Sequence, residues 1–165
     1  MVEFRRVTAD HRTALRAFVD RIPLSDRSFF DSQLLQDGAV ASWTQAVPAR
    51  RVAAFDGDDV VGLVTVVPRW GWMAHVGEMR VIIQPDHRGQ GLGRGLVDRG
   101  LELADELGLD KLTVHVRAAN AGAIAMFDAA GFTVEARLEG QVRDQAGNLD
   151  DLLVVSRWTP DRTSA

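Results

Sequence analysis

The sequence predicts a single α/β domain, a mixed sheet with helices on both faces, and three observations carry that reading. Apolar runs suited to strands alternate along the chain with segments whose apolar residues recur at helical spacing. A turn signal, Asp56-Gly57-Asp58-Asp59, joins two of the apolar runs as a hairpin. A strand, a glycine-rich turn and a helix meet between Ile83 and Arg94. A length of 165 residues with 46% hydrophobic content suits one core of ordinary size, without a second domain. The domain is expected to span residues 1–158, with 159–165 as a flexible tail.

In chain order, Val2, Phe4 and Val7 with charged residues between them suggest a first strand. Thr8 is placed to cap a helix through Leu15, Phe18, Val19 and Ile22, which Pro23 ends. Ser25-Asp26 can cap a second short helix, Phe29 to Leu35, which Gly38 terminates. The hairpin follows, with Val52 to Phe55 and Val60 to Val67 as its arms, and then a strand from His75 to Ile83. The helix after the glycine turn carries Leu92, Leu96, Gly100, Leu103 and Leu107 on one face and ends near Gly108. Lys111 to Arg117 alternates Leu112, Val114 and Val116 with polar positions, as a half-buried strand does. Asn120 can cap the next helix, with Ala123, Ile124, Phe127 and Ala130 at helical spacing and Gly131 closing it. Phe132 to Arg137 and Leu152 to Trp158 read as the last strands, with a turn at residues 144–148.

Composition removes several function classes. Nineteen basic residues against 23 acidic ones give a net charge of -4, so there is no global source for the attraction that drives nucleic-acid binding, and anionic membranes are equally poor partners. Cysteine is absent, which excludes disulfides, thiolate metal sites and cysteine nucleophiles. The histidines His11, His75, His87 and His115 show no ligand-type spacing, so no metal is expected. The N-terminus has no apolar signal region, and no apolar run approaches the ~18 residues of a membrane span. The expectation is a cytoplasmic protein, monomer or homodimer, acting on a small molecule.

Gly89, Gly91 and Gly93 alternate with Gln90 and Leu92 between Arg88 and Arg94. Alternate glycines let backbone N–H groups converge on a small volume at a helix N-terminus, where the macrodipole favours negative charge. This predicts an anion cradle suited to phosphate. Spacing separates the kinds of phosphate loop. G-x-G-x-x-G fails, because the third position is Arg94 counted from Gly89 and Leu96 counted from Gly91. G-x-x-x-x-G-K-[ST] fails because Lys111, the one lysine, is far away.

What remains, R-G-x-G-x-G after a strand ending V-x-I-x-P, resembles the acyl-CoA-binding motif of the GNAT superfamily of N-acetyltransferases. A second motif, N-x-x-A-x-x-x-[YF]-x-x-x-G-F, matches at Asn120, Ala123, Phe127, Gly131 and Phe132. The resemblance covers roughly Val60 to Trp158 and implies a mostly antiparallel central sheet of six to seven strands, acetyl-CoA as acetyl donor and an acyltransferase activity. It places the pantetheine arm along Val81, Ile82 and Ile83, and the pyrophosphate on the amides of Arg88, Gly89, Gln90, Gly91, Leu92, Gly93 and Arg94. It also implies contacts from Asn120, which by itself reads equally as a helix cap, and from Phe127. The Arg88 guanidinium would add a second, mobile clamp on the diphosphate.

Acetylation of an amine asks for removal of the ammonium proton. Glu78 is the candidate base, because H-x-x-E at His75 to Glu78 resembles the part of the family that acetylates small amines and amino acids. Arg80 lies two residues on and thus on the same strand face. If the two pair, the carboxylate becomes a poorer base; otherwise Arg80 is free to hold a substrate carboxylate. Many family members carry a proton-donating tyrosine where this chain has Phe127, and the chain contains no tyrosine. A thiol with a pKa near ~8.5 yields a fair leaving group, so catalysis can proceed without that donor. Trp70 and Trp72, with Met73, and His75 are candidates for the substrate wall. Protein α-amino groups or lysines as acceptors, and a non-catalytic acyl-CoA-binding module, are the alternatives.

Overall fold

A computed structural model describes residues 1–27 and 50–159; the helix expected at Phe29 to Leu35 lies outside them. Seven strands form one sheet: β1 (Val2–Arg6), β2 (Arg50–Asp56), β3 (Asp59–Pro68), β4 (Val76–Ile83), β5 (Lys111–Arg117), β6 (Thr133–Arg143) and β7 (Leu149–Trp158). Their order across the sheet is β1-β2-β3-β4-β5-β7-β6. Every neighbouring pair is antiparallel except β4 and β5. Among the described residues the α-helices are α1 (Arg12–Asp20), the single turn α2 (Leu24–Arg27), α3 (Leu92–Glu106) and α4 (Ala121–Ala129).

Strand alternation sends successive side chains to opposite faces and so builds two cores. On one face Val52, Ala54, Val64, Val66 and Met79 pack with Leu96, Val97 and Leu103 of α3, and Leu112 and Val114 of β5 join them. On the other, Ala53, Phe55, Val60 and Leu63 pack with Leu15, Phe18 and Val19 of α1. Helix α3 lies close to the sheet because Gly100 has no side chain: a Cβ there would stand 2.5 Å from the end of Met79 and 3.0 Å from Val64. Gly100→Leu is expected to lower stability by about 1–3 kcal/mol through overpacking, measurable by denaturant titration.

The parallel β4–β5 pairing is short. It joins Val76 to Lys111, Gly77 to Leu112 and Glu78 to Thr113 and then stops. Beyond Glu78 the two strands part, while each keeps its pairing on the outer side, β4 with β3 and β5 with β7. The sheet therefore opens into a V at its middle, and the β5-facing backbone groups of Met79 to Ile83 have no strand partner.

Several boundaries differ from expectation. The final hairpin is longer, because β6 is an edge strand whose polar residues Glu139 to Gln141 hide its periodicity. Its register shifts between Leu138 and Val142, where Gly140 takes φ +59° and donates its N–H to Asp151 at 2.8 Å. Thr159, assigned to a frayed tail, is tied down: its N–H donates to the Asp110 carbonyl at 2.8 Å and its hydroxyl to the Leu109 carbonyl at 3.2 Å. Ser25 and Asp26, expected to cap a helix, are themselves within α2.

Candidate functional site

The V between β4 and β5 is the floor of a cleft of about 800 Å³. Met79 to Ile83 form one wall and Val114 to Arg117 the other; the glycine turn closes one end, and α4 adds Ala123, Met126 and Phe127. The end of β4 is fixed by Gln84, a buried side chain whose amide donates to the Phe18 carbonyl of α1 at 2.9 Å.

At the glycine end, Gly89 and Gly91 adopt φ +71° and +79°, a region that side-chain-bearing residues rarely enter. A Cβ at either would meet nothing within 4 Å, so each borders open space. Gly91 is the N-cap of the 15-residue α3, and no side chain caps that terminus. The orphan amides of the first turn and the positive end of the helix dipole therefore face the cleft without a protein acceptor from a capping group, as a diphosphate site requires. Gln90 turns its amide back to the Asp86 carbonyl at 3.0 Å, and Leu92 is buried, so these two have only backbone to offer. Arg94 lines the cleft while pairing with Asp98 at 2.9 Å.

Arg88, expected as a mobile clamp, is held. Its guanidinium donates to the Ile83 carbonyl at 3.1 Å and to Asp26 of α2 at 2.5 Å. Asp26 also lines the cleft and opposes an incoming anion. Asp26→Asn is expected to tighten acetyl-CoA binding by about 2–5-fold in calorimetry, the worth of one exposed ion pair.

Asn120 does cap α4, its Oδ1 accepting from the Ala123 N–H at 3.1 Å, and it lines the cleft as well. Phe127 is 3% exposed and meets Phe132 edge-to-face at 5.3 Å, with part of its surface on the cleft.

At the other end sits Glu78, 7% exposed, at the point where the strands part. One carboxylate oxygen accepts from Arg80 Nε at 2.7 Å and the other from Arg69, which follows β3. Burial by itself would raise the Glu78 pKa; the hydrogen bond and charge of Arg80, with the charges of Arg69 and His115, outweigh it and hold the carboxyl below its ordinary value. Glu78 is thus ionised at neutral pH and a weakened base. Arg51 of β2, aligned with Arg80 through Thr65 of β3, is pulled down to about 10 by burial and by the like charge of Arg80.

The structure brings Glu78, Arg80, Val81, Ile82, Ile83, the loop, Asn120 and Phe127 to one cleft. It does not bring Trp70, Trp72 or His75 there. Trp70 and Trp72 are 77% and 99% exposed around the 3-10 turn Gly71–Met73, and His75 stacks on Trp158 outside the cleft. Sequence reasoning missed Arg69 and His115. Arg69 stands in a connection without periodicity; His115 was legible as the non-buried phase of β5, but the facing of β4 and β5 was not.

Residues 16–132 match the model of the Acetyltransferase (GNAT) family. The chain is 37% identical over 90 residues to a mycothiol acetyltransferase of Geodermatophilus obscurus, which is 52% of this chain and 29% of that protein. It is 31% identical over 81 residues to a spermidine N(1)-acetyltransferase of Vibrio cholerae, 48% of this chain and 46% of that one. Both matches span less than half of the relative's length. Among solved structures, a Salmonella typhimurium acetyltransferase with its cofactor acetyl-CoA superposes with a TM-score of 0.81 over 99% of this chain and 96% of that one, at 18% identity. That likeness is one of fold.

Proposed function

Because the chain belongs to the GNAT family of acetyltransferases, we propose that it transfers the acetyl group of acetyl-CoA to a primary amine of a small molecule, an amino acid, an amine or an amino-acid-like antimetabolite, by direct attack in a ternary complex. One observation carries the reading: a single cleft has an uncapped glycine-rich helix terminus at one end, an open strand edge along its length and ionised side chains at the other end.

Acetyl-CoA supplies the activated acetyl thioester. The amides of Arg88 to Arg94 hold the diphosphate, and the edge of β4 at Val81 to Ile83, whose last carbonyl already accepts from Arg88, hydrogen-bonds an extended chain as an added strand would. Glu78 lies five residues back from Ile83, roughly 16 Å at 3.3 Å per residue, so anchor and chemistry sit at opposite ends of β4. The guanidinium groups of Arg69 and Arg80 beside Glu78 disfavour a further cation and thereby ease loss of the ammonium proton. The Glu78 carboxylate accepts a hydrogen bond from the amine or from a water on it and so orients the lone pair towards the thioester carbon. The amine's C–N bond forms as the C–S bond breaks; one of the two protons the ammonium gives up passes to solvent, and the other ends on the thiol of free CoA. Phe127 supplies no proton, and a thiolate needs none to depart.

Since both reactants occupy one cleft and the chain has no cysteine to carry an acyl group, initial rates with both substrates varied are expected to give intersecting double-reciprocal lines. Parallel lines would indicate an acyl-enzyme route and overturn direct attack.

A further inference from the structure

Glu78 is shared between two cations. Among the described residues its carboxylate receives both Arg69 and Arg80. Arg80 spends only Nε on Glu78. Among the described residues its two terminal nitrogens have no acceptor, its side chain is 41% exposed, and it lines the cleft. The terminal nitrogens of a guanidinium form a planar pair of donors that matches a carboxylate's two oxygens.

We infer that the acceptor is an amino acid or close analogue, a molecule whose free carboxylate lies within a few bonds of its amine, and that Arg80 receives this carboxylate through its two terminal nitrogens. The inference rests on the acetyltransferase reading and narrows it. The Glu78–Arg80 contact places Arg80 beside the group that orients the amine, so amine and carboxylate are read side by side. Arg69 and Arg80 also oppose polyamines, whose further ammonium groups would enter beside two guanidinium groups. It also leaves an internal peptide carbonyl, the neighbour of a protein's α-amine, a poor match for Arg80.

The test is steady-state kinetics of the full chain with acetyl-CoA and the proteinogenic L-amino acids, each paired with its carboxamide, with spermidine added. At least one amino acid is expected to exceed its amide in kcat/KM by about 10–100-fold, the worth of a charge-assisted bidentate contact. That preference runs against intrinsic reactivity, because the amide's amine is less basic and more often neutral at the same pH. Arg80→Gln, checked for folding by thermal melting, is expected to raise KM for the amino acid by a similar factor while changing KM for the amide less than about 3-fold. Amides or spermidine turned over as well as the amino acids would overturn the inference and leave the acetyltransferase reading standing, as would equal KM increases for acid and amide in the variant. Acetyl-CoA binding without thiol release from any amine would sink both. Should Arg80→Gln fail to fold, the wild-type comparison of acids with amides decides alone.

Discussion

Gly91→Val is expected to lower acetyl-CoA affinity by at least about 10²-fold. Two effects combine at this position. Gly91 holds φ +79° as the N-cap of α3, where a β-branched residue is strained, and its missing side chain leaves the hollow that the diphosphate needs. Losing two charge-assisted contacts at about 1.5–3 kcal/mol each gives the magnitude. No protein atom lies within 4 Å of the added Cβ, so the fold is expected to survive with a penalty of about 1–2 kcal/mol for the left-handed backbone. Gly57→Val is the matched control: φ is +64°, the space is equally open, and the site is the turn between β2 and β3. Calorimetry should show lost affinity in the first variant and ordinary affinity in the second. Equal losses would assign the effect to backbone strain alone.

The second large effect belongs to Glu78→Gln, expected to reduce turnover by about 10²–10⁴-fold with acetyl-CoA affinity near wild type. Glutamine keeps the shape and one acceptor oxygen but removes the charge that Arg69 and Arg80 share. The variant should also lose about 1–3 kcal/mol of stability, between the limits for exposed and buried ion pairs, because both arginines remain about a third or more exposed. The pH dependence has a definite sign. A carboxyl whose folded pKa is depressed contributes stability above its unfolded value, near ~4.3, and loses it as pH falls through the folded value. The stability gap between wild type and Glu78→Gln should therefore be full at pH 7 and shrink below about pH 4. Since Glu78 is ionised throughout the neutral range, the rise of kcat/KM with pH should follow the acceptor amine in both enzymes, with the variant lower at every pH. A wild-type rate in the variant would show that the Glu78 carboxylate does not orient the amine.

How much of this was legible in the sequence depended on whether a residue's partner lay nearby in the chain. Strand β5 was read with its observed ends because one face is buried and the other is not, which writes the two-residue period directly into Lys111 to Arg117. The glycine loop and the Asn120 cap are equally local, as is the pairing of Glu78 with Arg80 two residues apart. Arg69 reaches Glu78 from nine residues away through a turn, and no spacing rule announces that. Nor could periodicity reveal that β4 and β5 pair for only three residues and then part, which is what makes the cleft. Trp70 and Trp72 were candidates because large aromatics suggest a pocket wall; the tight turn beginning at Gly71 leaves both at the surface.

The central claim, acetyl transfer from acetyl-CoA to a small amine in the β4–β5 cleft, is tested most directly by incubating the full chain with acetyl-CoA and a panel of amino acids and simple amines. Free thiol and product mass are followed together. The expected result is thiol released in step with an acceptor heavier by one acetyl group, reduced at least about 10²-fold in Glu78→Gln. Thiol release no faster than in the protein-free control with every small amine, or acetylation confined to added peptides, would contradict it.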